Sequence, residues 1–117
     1  MQLNEIRFED NQPVAGYGPG FFRVGAQVIE GPVLLLPEGV YSWRGLEDLE
    51  RLEAAADSID VLFLGMGAEI AHAPAPLRER LEARGVGIEV MASPPACRTY
   101  NILLSEGRRV GAALLPV

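Results

Sequence analysis

The fold of this chain is decided by residues 61–67, VLFLGMG, where four consecutive apolar residues end at a pair of glycines. A short apolar run bounded by glycine is typical of a strand buried on both faces. Three similar runs, Val33–Leu36, 88–91 and Val110–Leu115, are separated from it by segments with helical spacing. We predict that the four runs share one largely parallel sheet covered by helices.

Three helices are expected between these strands. The first covers about residues 46–56, with Ser42 as its cap and an apolar stripe at three- and four-residue spacing. The second begins at the prolines of segment 74–76, because proline suits the first helical turn, and ends at a glycine. The third is capped by Ser93 and runs to about Glu106.

The N-terminal part predicts a separate small layer of β-structure. One short strand is expected near residues 5–8, followed by an irregular turn in the glycine- and proline-rich segment 13–20. Phe21–Val24 and 27–29 then form a hairpin around the two-residue connection 25–26. This hairpin is additional to the alternation of strands and helices.

Size and charge limit the classes of function. The 117 residues suit one domain, 1–117, and the formal net charge of −6, with arginine as the only cation besides the single histidine, disfavours binding to nucleic acid or to an anionic membrane. No apolar run approaches the roughly 20 residues that span a bilayer. The acidic N-terminal segment does not resemble a signal peptide, and a single cysteine fits a cytoplasmic location.

A candidate ligand site lies where two parallel strands end. The carboxyl ends of the second and third apolar strands bring Gly65, Gly67 and Ser93 to one edge of the sheet, where open α/β sheets bind ligands. A dinucleotide fingerprint is not met, since Ile70 stands where the third glycine is needed. A small anionic metabolite at the edge formed by 65–67 and 93–97 is one reading, and a tight strand exit is the other.

The third helix carries a polar face. Arg98, Asn101 and Ser105 recur at three- and four-residue spacing, and Arg108 follows the helix. Such a face is usually solvated, but it also suits contact with another protein, because arginine is favoured at interfaces. Both readings stay open on the residues alone.

The residues that could carry catalysis are few. One histidine, His72, and unpaired carboxylates predict no catalytic residues, no metal site and no cofactor. Cys97 lies in the first turns of a helix beside Arg98, and both features lower a thiol pKa. Its place on the same stripe as Tyr100 nevertheless predicts that it is buried and unreactive.

The chain resembles a small domain family of unknown biochemical activity that includes the mitochondrial complex I assembly factor 3 protein and an adipogenesis-associated protein. The resemblance rests on the glycines of 65–67, on Gly87–Met91 and on residues 96–101, ACRTYN, with 106–110, EGRRV. The run 99–108 is the most specific part. Met66 departs from the hydroxyl residue that relatives often carry at that place.

The resemblance implies an α/β fold of three layers, with a mixed, mostly parallel central sheet flanked by helices and an added N-terminal β-hairpin layer. One central strand is implied to run antiparallel to the others. It also implies a protein partner among the subunits of respiratory NADH:ubiquinone oxidoreductase. Two functions follow: a non-enzymatic interaction or assembly factor, and a binder of or enzyme for a small anionic metabolite at the sheet edge.

Overall fold

Two β-sheets and three α-helices make up the described part of the chain. The computed structural model describes residues 12–117 and the backbone of residues 5–6. In those residues no helix is long and apolar enough to cross a bilayer. The strands are β1 (Glu5–Ile6), β2 (Val14–Gly18), β3 (Phe21–Val24), β4 (Gln27–Glu30), β5 (Val33–Leu36), β6 (Gly39–Ser42), β7 (Val61–Met66), β8 (Gly87–Met91) and β9 (Val110–Leu115). The helices are α1 (Glu50–Ala54), α2 (Ala75–Ala83) and α3 (Ser93–Ser105), and a 3₁₀ turn covers Ala56–Ser58.

The central sheet has six strands in the order β1-β6-β5-β9-β7-β8. β7 pairs in parallel with both β8 and β9, whereas β5 pairs antiparallel with both β6 and β9. The strands β6, β7, β8 and β9 therefore point one way, and β1 and β5 point the other. The predicted sharing of one sheet by the four apolar runs is confirmed, and β5 is the antiparallel central strand that the resemblance implied.

The central sheet separates two hydrophobic cores, which gives the predicted three layers. Leu34 and Leu36 of β5 face a cluster under α1 and α2, and Val33 and Leu35 face a second cluster under α3. The second cluster also contains Phe22 and other side chains of the three-stranded sheet β2-β3-β4. All four residues of β5 are buried, because alternate side chains enter opposite cores.

The N-terminal layer holds one strand more than the sequence predicted. Segment 13–20 was expected to form an irregular turn, but most of it is β2, which pairs with β3. The glycines of this segment have structural roles in the strand. The register shifts next to Gly16, and at Gly18 a Cβ would lie 2.6 Å from the ring of Phe21. Of the strand expected over residues 5–8, residues 7–8 lie outside the described residues.

The region between β5 and α1 also differs from the prediction. Ser42 is not a helix cap but the last residue of β6, which a two-residue connection joins to β5. The expected helix over 46–56 is reduced to α1 and the 3₁₀ turn, because the preceding segment is held as a loop. There the indole N–H of Trp43 donates to the carbonyl oxygen of Asp48 at 2.9 Å, and Gly45 has a φ of +108°.

Candidate functional site

Two loops meet at the carboxyl ends of β7 and β8, as the sequence predicted. The backbone N–H of Gly67 donates to Oγ of Ser93 at 2.9 Å, and the N–H of Ser93 donates to the carbonyl oxygen of Gly67 at 2.8 Å. The Ser93 hydroxyl itself donates to the carbonyl oxygen of Leu115 at 2.6 Å. One serine therefore joins the ends of the three parallel strands β7, β8 and β9.

Ser93 has a different role from the predicted one. It is the first residue of α3, whose N-cap is Ala92, and no side chain caps the helix. The Ser93 side chain is 1% exposed, and its hydroxyl serves as both donor and acceptor toward the loops of the sheet. Because a buried polar group needs such partners, its position is explained by the fold alone.

The predicted ligand site is brought together, but protein atoms fill it. A Cβ on Gly65 would lie 2.7 Å from Oγ of Ser93 and 2.8 Å from Cδ2 of Leu114. Gly67 has a φ of +93°, which fits the tight strand exit considered for this loop. An anion placed between Gly65, Gly67 and Ser93 would have to displace these contacts.

Cys97 lies on the inner side of α3. Its side chain is 4% exposed, so the predicted burial is confirmed. Burial raises the pKa of the Cys97 thiol from 9.0 to about 11, and this effect outweighs the nearby charge of Arg98, which lowers the pKa. The thiol therefore stays protonated at neutral pH, a state in which it is a poor nucleophile.

Asn101 connects α3 to β2 through its side-chain amide and is not part of a free polar face. Its Oδ1 accepts a hydrogen bond from the N–H of Val14 at 2.8 Å, and its Nδ2 donates to the carbonyl oxygen of Val14 at 2.9 Å. The amide thus satisfies both backbone groups of a buried residue in β2. At the preceding residue, the hydroxyl of Tyr100 donates to the carbonyl oxygen of Gln12 at 3.2 Å.

The rest of the predicted polar face is exposed. Arg98, Ser105 and Arg108 lie on the surface, and the Ser105 hydroxyl donates only to the carbonyl oxygen of Ile102 in its own helix. The side chain of Ile102 is 58% exposed among them. Ile102 was not among the residues predicted for this face, although its position four residues after Arg98 indicates that it lies on the same side of the helix. We call Arg98, Ile102, Ser105 and Arg108 the outer α3 surface.

Two cavities lie on the other side of the central sheet. A cavity of about 720 Å³ beside α1 and α2 is lined by charged residues, including the ion pairs Arg44–Asp48 and Arg80–Glu53. A second cavity of about 320 Å³ lies beside the end of β8 and contains His72 in its lining. In the described part of the chain, no three His, Cys, Asp or Glu side chains are grouped to hold a metal ion.

Comparison with known proteins gives a family match over most of the chain. The family model described as "Protein of unknown function (DUF498/DUF598)" matches residues 14–115. An uncharacterized protein of Rhodobacter capsulatus is 50% identical over 117 residues, which are 100% of this chain and 94% of that protein. The crystal structure of a protein described as an outer membrane protein from Bartonella henselae superimposes with a TM-score of 0.84 and 33% identity, covering 92% of this chain and 97% of the other.

A relative with a stated role is more distant. The "NADH dehydrogenase [ubiquinone] 1 alpha subcomplex assembly factor 3" of Danio rerio is 34% identical over 110 residues. The match covers 88% of this chain and 63% of the fish protein. This chain therefore corresponds to less than two thirds of that assembly factor.

Proposed function

We propose that this chain, which belongs to the family described as proteins of unknown function DUF498/DUF598, is a protein-interaction factor that assists assembly of respiratory NADH:ubiquinone oxidoreductase. The relative from Danio rerio, named as an assembly factor of this complex, supports the proposal at the level of the family. In this role the protein contributes binding and no catalysis, and it works in the cytoplasm.

The observation that carries the proposal is the outer α3 surface. Ile102 is a large aliphatic side chain that is 58% exposed, with Arg98 one helical turn before it. In the described residues, neither Arg98 nor Arg108 forms an ion pair or a side-chain hydrogen bond. An apolar centre flanked by free guanidinium groups fits a partner surface that presents an apolar pocket with carboxylates around it.

The alternative function, binding of a small anion at the sheet edge, has less geometric support. The Ser93 hydroxyl and the Gly67 N–H that would hold the anion are hydrogen-bonded to each other, and Ser93 is buried. Binding would therefore cost the bonds that join β7, β8 and β9. Titration with inorganic phosphate tests this alternative, since movement of the Gly67 amide resonance at millimolar phosphate would favour it.

The assembly role is tested by gene replacement in the native host. The first variant, Arg98→Ala with Ile102→Ser, removes the centre of the outer α3 surface. The matched control, Arg23→Ala with Val28→Ser, removes a cation and an exposed aliphatic side chain that pair in register on β3 and β4. Membranes are assayed for assembled complex and for NADH:ubiquinone oxidoreductase activity, and cell fractionation checks the location.

We expect the α3 variant to lower the assembled complex by about tenfold, because a few central contacts, often those of arginine, dominate interfaces, and the control to match the wild type. Equal levels of complex in both variants would remove the outer α3 surface from the proposal. Normal activity after deletion of the whole gene would end the assembly role itself.

A further inference from the structure

The strand β8 leaves one edge of the central sheet open. In the described residues β8 pairs only with β7. The N–H of Gly87 donates to Asp60 at 2.9 Å, and the N–H of Ser93 donates to Gly67 at 2.8 Å, both on the β7 side. Because backbone groups alternate in direction along a strand, the N–H and C=O groups of Ile88 and Val90 point to the open side.

The cavity of about 320 Å³ lies directly beside this edge. Val90 lines it from β8, Arg78 from the first turns of α2, and Ile70 and His72 from the loop after β7. Ile70 is 67% exposed. Among the described residues that line the cavity none is acidic, although the chain as a whole has a net charge of −6.

These two features share Val90, which fixes their relative geometry. Its backbone faces the open edge, and its side chain packs toward the core under α1 and α2, on the cavity side of the sheet. Directly opposed residues of paired strands point to the same face. A strand added to β8 would therefore place the side chain opposite Val90 at the cavity, which Ile70 and Arg78 also line.

We propose that β8 and this cavity bind an extended segment of a partner protein by strand addition, with one apolar side chain in the cavity and a carboxylate facing His72 and Arg78. Strand addition of this kind draws affinity from backbone hydrogen bonds and specificity from pockets for alternate side chains. The proposal extends the assembly role, since it needs a protein partner, but it uses a surface separate from the outer α3 surface.

A carboxylate on the segment follows from the charge of the cavity lining. Arg78 contacts Glu82 at 2.7 Å, and its side chain remains 41% exposed, so one side of the guanidinium group can take a second carboxylate. His72 is exposed on the same rim. Apolar lining with a few polar groups is the usual composition of a binding pocket.

A second copy of the chain fits the edge less well than a partner segment. Antiparallel pairing of β8 with its own copy, centred on the strand Gly87–Met91, would place two Glu89 side chains opposite each other. Like charges directly opposed across strands are destabilising, and the net charge of −6 on each copy adds to the repulsion.

The probe is a terminally blocked peptide of alternating isoleucine and threonine that ends in aspartate, titrated into ¹⁵N-labelled protein. We expect saturable shifts and slowed hydrogen exchange at the amides of Ile88 and Val90, with a Kd below about 1 mM. Replacing the aspartate of the peptide by asparagine should weaken binding. Absence of saturable shifts at Ile88 and Val90 would overturn the proposal, and so would a dimer through β8 in sedimentation.

Two variants locate the binding. Val90→Pro removes one outward N–H while leaving the bonds to β7, and we expect about tenfold weaker peptide binding, as for the loss of a hydrogen-bond partner. Ala71→Phe places a ring at the cavity without touching the strand and should weaken binding similarly. Glu89→Gln is the control that should bind normally. The Arg98→Ala, Ile102→Ser protein should also bind normally, so failure here and failure of the assembly role are separable.

Discussion

The two sides of α3 carry similar polar residues with different roles. On the inner side, Ser93 and Asn101 bond the backbone of β2, of β9 and of the loop after β7, and both connect separate layers or strands. On the outer side, Ser105 bonds only its own helix, and Arg98 has no partner among the described residues. Whether a polar residue of this helix stabilises the fold or stays free to contact another molecule therefore depends on what covers it, and not on its residue type.

The largest difference is expected between two serines of this helix. Ser93→Ala leaves the Gly67 N–H and the Leu115 carbonyl without their partner, which should lower the free energy of unfolding by about 2–4 kcal/mol. Ser105→Ala removes one exposed bond within the helix and should change it by less than about 0.5 kcal/mol. Urea denaturation of both variants measures the contrast, and equal losses would contradict the different roles.

The buried thiol makes the inner side sensitive to high pH. The pKa of Cys97 is 9.0 without burial and about 11 in the folded protein, so the unfolded chain loses its thiol proton first as pH rises. The contribution of the protonated thiol to the free energy of unfolding is therefore fully present below pH 9, and it is lost as pH rises through 11. The loss in free energy of unfolding amounts to about 2–3 kcal/mol once both states are ionised.

The measurement is denaturation at pH 7 to 11 for the wild type and for Cys97→Ala. Burial also raises the pKa of Tyr100 above its usual 10.0, which adds a loss that begins near pH 10 in both proteins. The difference in slope between them therefore isolates the thiol. If the two profiles run in parallel, Cys97 does not titrate with a raised pKa.

The third contrast concerns Asn101. Asn101→Ala removes both bonds to Val14 and should lower the free energy of unfolding by about 1–2 kcal/mol, since Val14 is buried in β2. Asn101→Asp keeps an acceptor but cannot donate to the Val14 carbonyl, so it should not restore the loss. Thermal and urea unfolding measure the stability of both variants. If Asn101→Ala is as stable as the wild type, the bonds to Val14 do not stabilise the fold, and Asn101 belongs to the free polar face as first predicted.

Much of the central sheet could be predicted from the sequence because burial on both faces leaves a continuous apolar run. Val33–Leu36 and the run that begins at Val61 carry that signal in every residue. β2 carries no such signal, since its glycines look like a turn, although the two-residue connection 19–20 pairs it with β3 in a hairpin. Ser42 has the chemistry of a cap, and only the hairpin with β5 shows that it ends a strand.

The candidate site was predictable in position but not in role. Parallel strands β7 and β8 brought Gly67 and Ser93 together as expected, because their carboxyl ends share an edge. That the Ser93 hydroxyl would bond Leu115 depends on β9 lying beside β7, which periodicity does not encode. In the same way, helical spacing placed Asn101 with Arg98, but Asn101 is bonded to β2 and Arg98 is exposed.

The smallest change in the free energy of unfolding is expected on the outer α3 surface. Arg98→Ala with Ile102→Ser removes two exposed side chains and should change the free energy of unfolding by less than about 0.5 kcal/mol. Leu104→Ser, a similar change in a side chain that packs against the core under α3, should cost more than about 1 kcal/mol. Urea denaturation distinguishes the two. A large loss in the first variant would mean that the outer residues stabilise the fold, and any assembly defect of that variant would then follow from instability rather than from lost contact with a partner.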